Sequence, residues 1–169
     1  MWNRRTFHEC ADELKAISDD FRAAYTNKVA IGEQQRNEIL EGTSKRGVEI
    51  LRILALSIRS EQDSGIIPAI DNTVGALKPS ASDNDVFFTL NYYRPPYSDK
   101  SNFEPLGLRD ALNKIAHANP KQTDFFANDS AHDLILCGQK NNNTWIAIIS
   151  LIDLCRVIKS ITDRNITHD

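Results

Sequence analysis

"HDLILCGQKNNNTWIAIIS", residues 132–150, is the stretch whose reading decides the fold. Its flanks, "DLILCGQ" and "TWIAIIS", are rich in β-branched and other strand-forming residues. "KNNN" between them is turn chemistry, because asparagine tolerates the left-handed backbone that a tight hairpin needs. The stretch therefore reads as a β-hairpin. Directly after it, Ser150 stands as a helix N-cap with Asp153 three residues on, a capping-box spacing. Leu151, Leu154, Cys155, Val157, Ile158 and Ile161 then recur at helical intervals, and the tail from Thr162 is expected to fray.

Upstream, residues 105–118 read as a short helix, with Pro105 in its first turn and Asn119-Pro120 as its stop. At the other end of the chain, residues 2–25 carry Phe7, Cys10, Ala11, Leu14, Ile17, Phe21 and Ala24 at spacings of three and four, an amphipathic helix. Residues 33–61 read as a second, longer helix whose wide apolar stripe (Val48, Leu51, Leu54, Ala55 and Ile58, broadened by Ile50 and Ile53) implies burial on more than one side. Residues 62–85 hold Gly, Pro, Ser and Asn throughout and read as a long loop. "VFFTLNYY" (86–93) fits a strand by propensity and a helix by the spacing of Phe87, Leu90 and Tyr93 or Tyr97.

The resulting plan is helix, helix, loop, helix, hairpin, helix. Its economical arrangement is a mainly α fold: a bundle of about four helices around one core, with a small two-stranded hairpin before the C-terminal helix. A length of 169 residues suits a single domain spanning 1–169. An isolated hairpin is marginal in water, so its apolar side, Trp145 included, is expected to lie on the bundle or on another molecule.

Composition narrows the function classes. A net charge of −3 and a pI near 5.8 argue against avid, non-specific nucleic-acid binding, which depends on many phosphate-neutralising cations, and are compatible with a basic protein partner. Cys10, Cys137 and Cys155 are odd in number and widely spaced, each in an amphipathic element, and read as buried free thiols in a reducing cytoplasm. No signal peptide is evident in "MWNRRTFHEC", and "VEILRILALSI" carries Glu49 and Arg52 and is too short for a membrane span. His8, Glu9 and Asp12 resemble half of a metal site without a second half; no metal and no cofactor is expected. There is no Gly-rich phosphate loop and no nucleophile elbow.

The remaining chemistry sits on "LRDALNKIAHANP" (108–120). At ~100° per residue, Leu108, Ala111, Leu112 and Ile115 share one face, while Arg109, Asn113 and His117 climb a polar ridge that drifts away from it. His117 ends up roughly opposite the apolar stripe. Three readings are open: polar groups that lock the helix to its neighbours, a partner-binding surface, or an RNA-cutting site. A second candidate surface is "YYRPP" (92–96), where Tyr92, Tyr93 and Arg94 have the composition of a contact region and equally that of a stiff loop packed on the core.

The motif Leu-Arg-x-x-x-Asn-Lys-Ile-x-His-Ala, followed by a hairpin with a Gly and a Trp and then an amphipathic helix, resembles a group of uncharacterised bacterial proteins. That group is similar to a divergent branch of the HEPN superfamily. The resemblance covers about residues 105–160. It implies a helical bundle and a setting in bacterial toxin–antitoxin, immunity or antiphage defence systems, where many HEPN proteins are metal-independent ribonucleases. In active members an Arg precedes the His by four to six residues. Here His117 matches the His, but seven residues separate it from Arg109, placing their Cα atoms ~12 Å apart along a helix. Asn113 is nearer but carries no charge. The leading expectation is thus a non-catalytic protein-binding or regulatory module of such a system, contacting a toxin or other defence protein through Tyr92, Tyr93, Arg94 and Trp145. The alternative is a dimeric ribonuclease using His117, Arg109 and Asn113, in which two copies bring Arg and His together and RNA is the substrate.

Overall fold

In the computed structural model, which describes residues 5–95 and 102–166, five helices pack against a five-stranded antiparallel sheet. The elements are α1 (Phe7–Tyr25), α2 (Glu33–Asp63), β1 (Thr73–Lys78), α3 (Asp83–Tyr92), β2 (Glu104–Gly107), α4 (Leu108–His117), β3 (Thr123–Ala127), β4 (His132–Lys140), β5 (Asn143–Ser150) and α5 (Leu151–Ser160). Strand order is β2-β1-β5-β4-β3. The expected helical bundle with a two-stranded appendage is thereby corrected: the hairpin is the middle of a sheet, not an attachment.

The hairpin itself forms as its turn chemistry requires. Lys140 pairs with Asn143, and Asn141 and Asn142 between them adopt φ of 51° and 65°. Two left-handed residues in a two-residue loop match the right-handed twist of the strands. Along β5, Trp145, Ala147 and Ile149 point to the core shared with α1, α2, α4 and α5, whereas Ile146 and Ile148 point to a second core under α3. Both faces of the central strands are covered, which is why "WIAII" is apolar without alternation.

Neighbouring strands come from segments with weak strand signals. β1 lies inside the region expected to be loop, pairing with β5 on one side and β2 on the other. Gly75 is needed there, since a Cβ would collide with the Ile148 backbone. Pro105 is in β2, not in a helix; as a residue without a donor it suits this edge strand. β3 forms the opposite edge against β4.

The helices follow their local codes more closely. Thr6 and Glu9 form a reciprocal capping box on α1, and Ser82 with Asp85 does the same for α3, which settles "VFFTLNYY" as helix. Ser150 Oγ accepts from Asp153 N at 3.2 Å to open α5. Phe7, Leu14, Ile50, Leu54, Ile58, Leu112, Leu154 and Ile158 are fully buried between the helices and the sheet. Each such side chain contributes about 1.5–3 kcal/mol through burial. The segment after α5 does not fray over residues 162–166: Ile166 is buried, its N–H donates to Arg5 O at 2.8 Å, and Arg164 pairs with the buried Glu61 at 2.6 Å.

On the second face Tyr93 and Asp133 are buried and joined, with Tyr93 Oη donating to Asp133 Oδ2 at 2.8 Å. Burial, then the facing carboxylate, pushes the Tyr93 phenol well above its ordinary value, so it stays a donor. Tyr93→Phe is expected to cost about 1–3 kcal/mol by removing a donor from a buried carboxylate. Chemical denaturation monitored by circular dichroism measures it.

Candidate functional site

The ridge on α4 divides among different tasks. Leu108, Ala111 and Leu112 are buried as the helical wheel requires. Arg109 reaches sideways to α2, where its guanidinium donates to Arg59 O at 3.0 Å and to Asp63 Oδ1 at 2.8 Å. Asp63 is largely exposed, so the pair ties α4 to the end of α2 without adding much stability. Asn113 is half-buried and His117 exposed, and neither makes a side-chain hydrogen bond to the described residues. The structure therefore does not bring Arg109, Asn113 and His117 together around one point in a single chain. Lys114, next to Asn113 and rotated off the ridge, has its Nζ 4.5 Å from the centre of the Trp145 ring, and burial lowers its pKa.

Trp145 and Tyr93, expected at a partner surface, are each only 3% exposed and belong to the two cores. That expectation is corrected: a tryptophan in a central strand with both faces covered has no route to solvent. Arg94 is exposed, donates to Tyr93 O, and lies with its guanidinium carbon 5.8 Å from the centre of the Phe126 ring. Tyr92 is 62% exposed and does face solvent. Pro96 and Tyr97, at the end of the "YYRPP" region, lie outside the described residues.

What surrounds Tyr92 was not read from the sequence. Phe87 and Phe88 are 54% and 60% exposed, and their rings contact each other and Tyr92 at centroid separations of 5.7–6.2 Å. α3 has only ten residues and turns Val86 and Leu90 toward the sheet. A helix facing the core with two apolar residues while holding three aromatic rings in water presents a surface that a monomer does not need. The available signal was "FF" beside Tyr92 once the segment is taken as a helix: at ~100° per residue, positions 87, 88 and 92 cannot all share the face of 86, 90 and 93.

A second feature is an open cavity of about 460 Å³ between α1, α2, the end of α4 and the β3–β4 edge of the sheet. His132 and Ser18 form part of its wall, with Ser18 Oγ 2.8 Å from His132 Nδ1. Burial, reinforced by Arg22, lowers the His132 pKa to about 4, so the ring is neutral near pH 7. The pair does not make a nucleophile. Ser18 lies in the middle of α1, where backbone N–H groups are already spent on the helix and cannot form an oxyanion hole. Its hydroxyl pins α1 to β4, and the His132 ring stacks on Phe21 at 5.0 Å.

Cys10, Cys137 and Cys155 are free and buried; burial pushes Cys137 to about 11 and Cys155 to about 12, values unsuited to thiolate chemistry. His8 is occupied with Ile161 O at 2.7 Å, and among the described residues no group of His, Cys, Asp and Glu is placed to hold a metal ion. No described helix is long and apolar enough to cross a membrane. Compared with known proteins, the chain has no matching family model, and neither curated proteins nor solved structures give a significant match.

Proposed function

We propose that this chain is a non-catalytic protein-binding or regulatory module that docks a partner on the outer face of α3. The observation that carries this reading is the exposed ring cluster of Phe87, Phe88 and Tyr92. Aromatic side chains are the residues most enriched at the centres of protein interfaces, because they bury much area for little conformational entropy. The exposed Asp83 on the same helix and the chain's net charge of −3 favour an apolar groove with a basic rim on the partner. Placement in a bacterial toxin–antitoxin, immunity or antiphage system, inside the cytoplasm, rests on the resemblance of residues 105–160.

The alternative, a dimeric metal-independent ribonuclease, draws support from His117, which is exposed and unengaged by the described residues. Against it stands Arg109, whose guanidinium is held by α2 and whose Cα lies ~12 Å along the helix from that of His117.

A photo-crosslinking residue at position 88, expressed in the source cell, is expected to give one discrete adduct identifiable by mass spectrometry. The adduct should disappear when Phe87 and Tyr92 are both changed to Ser, with the circular dichroism spectrum unchanged. Crosslinks no more frequent than from the exposed position 20 defeat the reading. Incubation with total RNA in chelator separates the alternative: cleavage by the wild type that vanishes in His117→Ala replaces the binding module with the nuclease.

A further inference from the structure

The cavity between α1, α2 and the β3–β4 edge has no part in docking on α3, which lies across the sheet from it. Its 460 Å³ falls within the range of small-molecule sites. At ~30 Å³ per water-sized unit, that is room for ~15 non-hydrogen atoms. The wall is mainly apolar: Ile17 and Phe21 from α1, Leu51 from α2, Ile115 from α4, and Leu134 and Leu136 from β4.

Charged and titratable groups on the lining are few and unequal in their freedom. Asp124 already accepts from Phe125 N at 2.7 Å. His132 is 7% exposed; its Nδ1 faces Ser18, and its Nε2 makes no hydrogen bond to the described residues. Arg52, exposed on α2, has no carboxylate, carbonyl or aromatic partner among the described residues, unlike Arg22, Arg46 and Arg109. The neutral imidazole can give or take one hydrogen bond but cannot compensate a charge buried beside it. A ligand's charge must therefore sit at the rim, and the free group there is a guanidinium, whose fork fits a carboxylate.

We propose that this cavity binds a small amphiphilic carboxylic acid of medium chain length, its apolar body among Ile17, Phe21, Leu51 and Leu134 and its carboxylate on Arg52. The size of the cavity suits an acid of about ten to twelve carbons, whose body fits along the apolar lining.

Calorimetric titration of the full chain with decanoate tests this. Saturable binding is expected, tighter than for hexadecanoate. Arg52→Gln should weaken decanoate by ~10-fold or more while leaving 1-decanol unchanged. Val48→Trp, at a half-exposed position on the lining, should remove binding of both, and Thr43→Trp provides a second plug from the same helix. Phe87→Ser with Phe88→Ser should leave decanoate binding intact, which separates the cavity from the α3 surface. No saturable binding by about 1 mM decanoate, equal affinity in Arg52→Gln, or affinity unchanged in both plugged variants overturns the proposal.

Discussion

Trp145→Ala is expected to lower the unfolding free energy by about 3–5 kcal/mol, the range for emptying a tryptophan's place in a packed core. For a domain whose total stability is of order 5–15 kcal/mol, that is a large fraction. Three neighbours fix the ring. Gly138 lies directly across from it in register, and a Cβ there would overlap the indole, so β4 is built to accept it. Lys114 lays its ammonium over the ring, 4.5 Å from its centre, and is itself partly buried. Ala147 and Ile149 continue the same face into the helical layer. The vacated space has little means to close, because sheet backbone on one side and α4 on the other are both held by pairing and packing. Guanidinium denaturation followed by far-ultraviolet circular dichroism reads the loss without relying on tryptophan emission. A change under about 1 kcal/mol would mean that the ring is not part of the core. Gly138→Val should be destabilising for the reciprocal reason.

Acidification from pH 6.5 to 4.5 is expected to cost the fold stability through one histidine. The unfolded chain takes up a proton on His132 near its ordinary value of 6.5, whereas the folded chain resists until about 4. Between those values the unfolded state binds more protons, so stability rises with pH and is lost as pH falls. The slope from this group is at most about 1.4 kcal/mol per pH unit, and its full contribution is on the order of 3 kcal/mol. The carboxylates act lower down. Arg46 and Arg5 hold Glu13 below its ordinary 4.5, and Ser82 and Lys78 hold Asp85 below 3.8, so their contributions are present above those values and fall away beneath them. The interval from 4.5 to 6.5 therefore isolates the histidine. Urea midpoints measured across it should fall with acid in the wild type. They should stay nearly flat in a Ser18→Ala/His132→Leu double variant, which removes both partners of the buried bond. A wild type as flat as that variant would show that the imidazole is hydrated in the folded state.

The long helices were legible because each is specified by its own neighbours in sequence: a cap, a stripe and a stop. α2, α4 and α5 lie where periodicity puts them, to within a turn, α1 begins later than expected, at Phe7 behind its Thr6 cap, and Asn141-Asn142 makes the turn its chemistry demands. The sheet was not legible as a sheet. β1, β2 and β3 are four to six residues long, and their strand character comes from pairing: β1 with the distant β5 (Gly75 opposite Ile149), β2 with β1 (Leu106 opposite Gly75), and β3 with β4 (Ala127 opposite His132). The clue that was present and under-read is "WIAII": five apolar residues in succession leave a strand no solvent face, which a two-stranded appendage on a bundle cannot satisfy. Taking the hairpin as peripheral also sent Trp145 to the surface and left α3's outward rings unnoticed. The polar ridge of α4 was placed correctly on its helix, but its spacing could not show that Arg109 belongs to α2.

By itself, the sequence determined where α2 and α5 begin, which faces of the long helices are apolar, that one tight hairpin forms, and that three thiols are buried. Tertiary structure alone decided that the hairpin is central, that Tyr93 is inside while Tyr92 is outside, and that α1, α2 and the sheet edge leave a cavity between them. The division has one cause. Helices and tight turns close hydrogen bonds over three or four residues, so their code is local, whereas strand pairing and cavities are settled by which distant surfaces must cover one another.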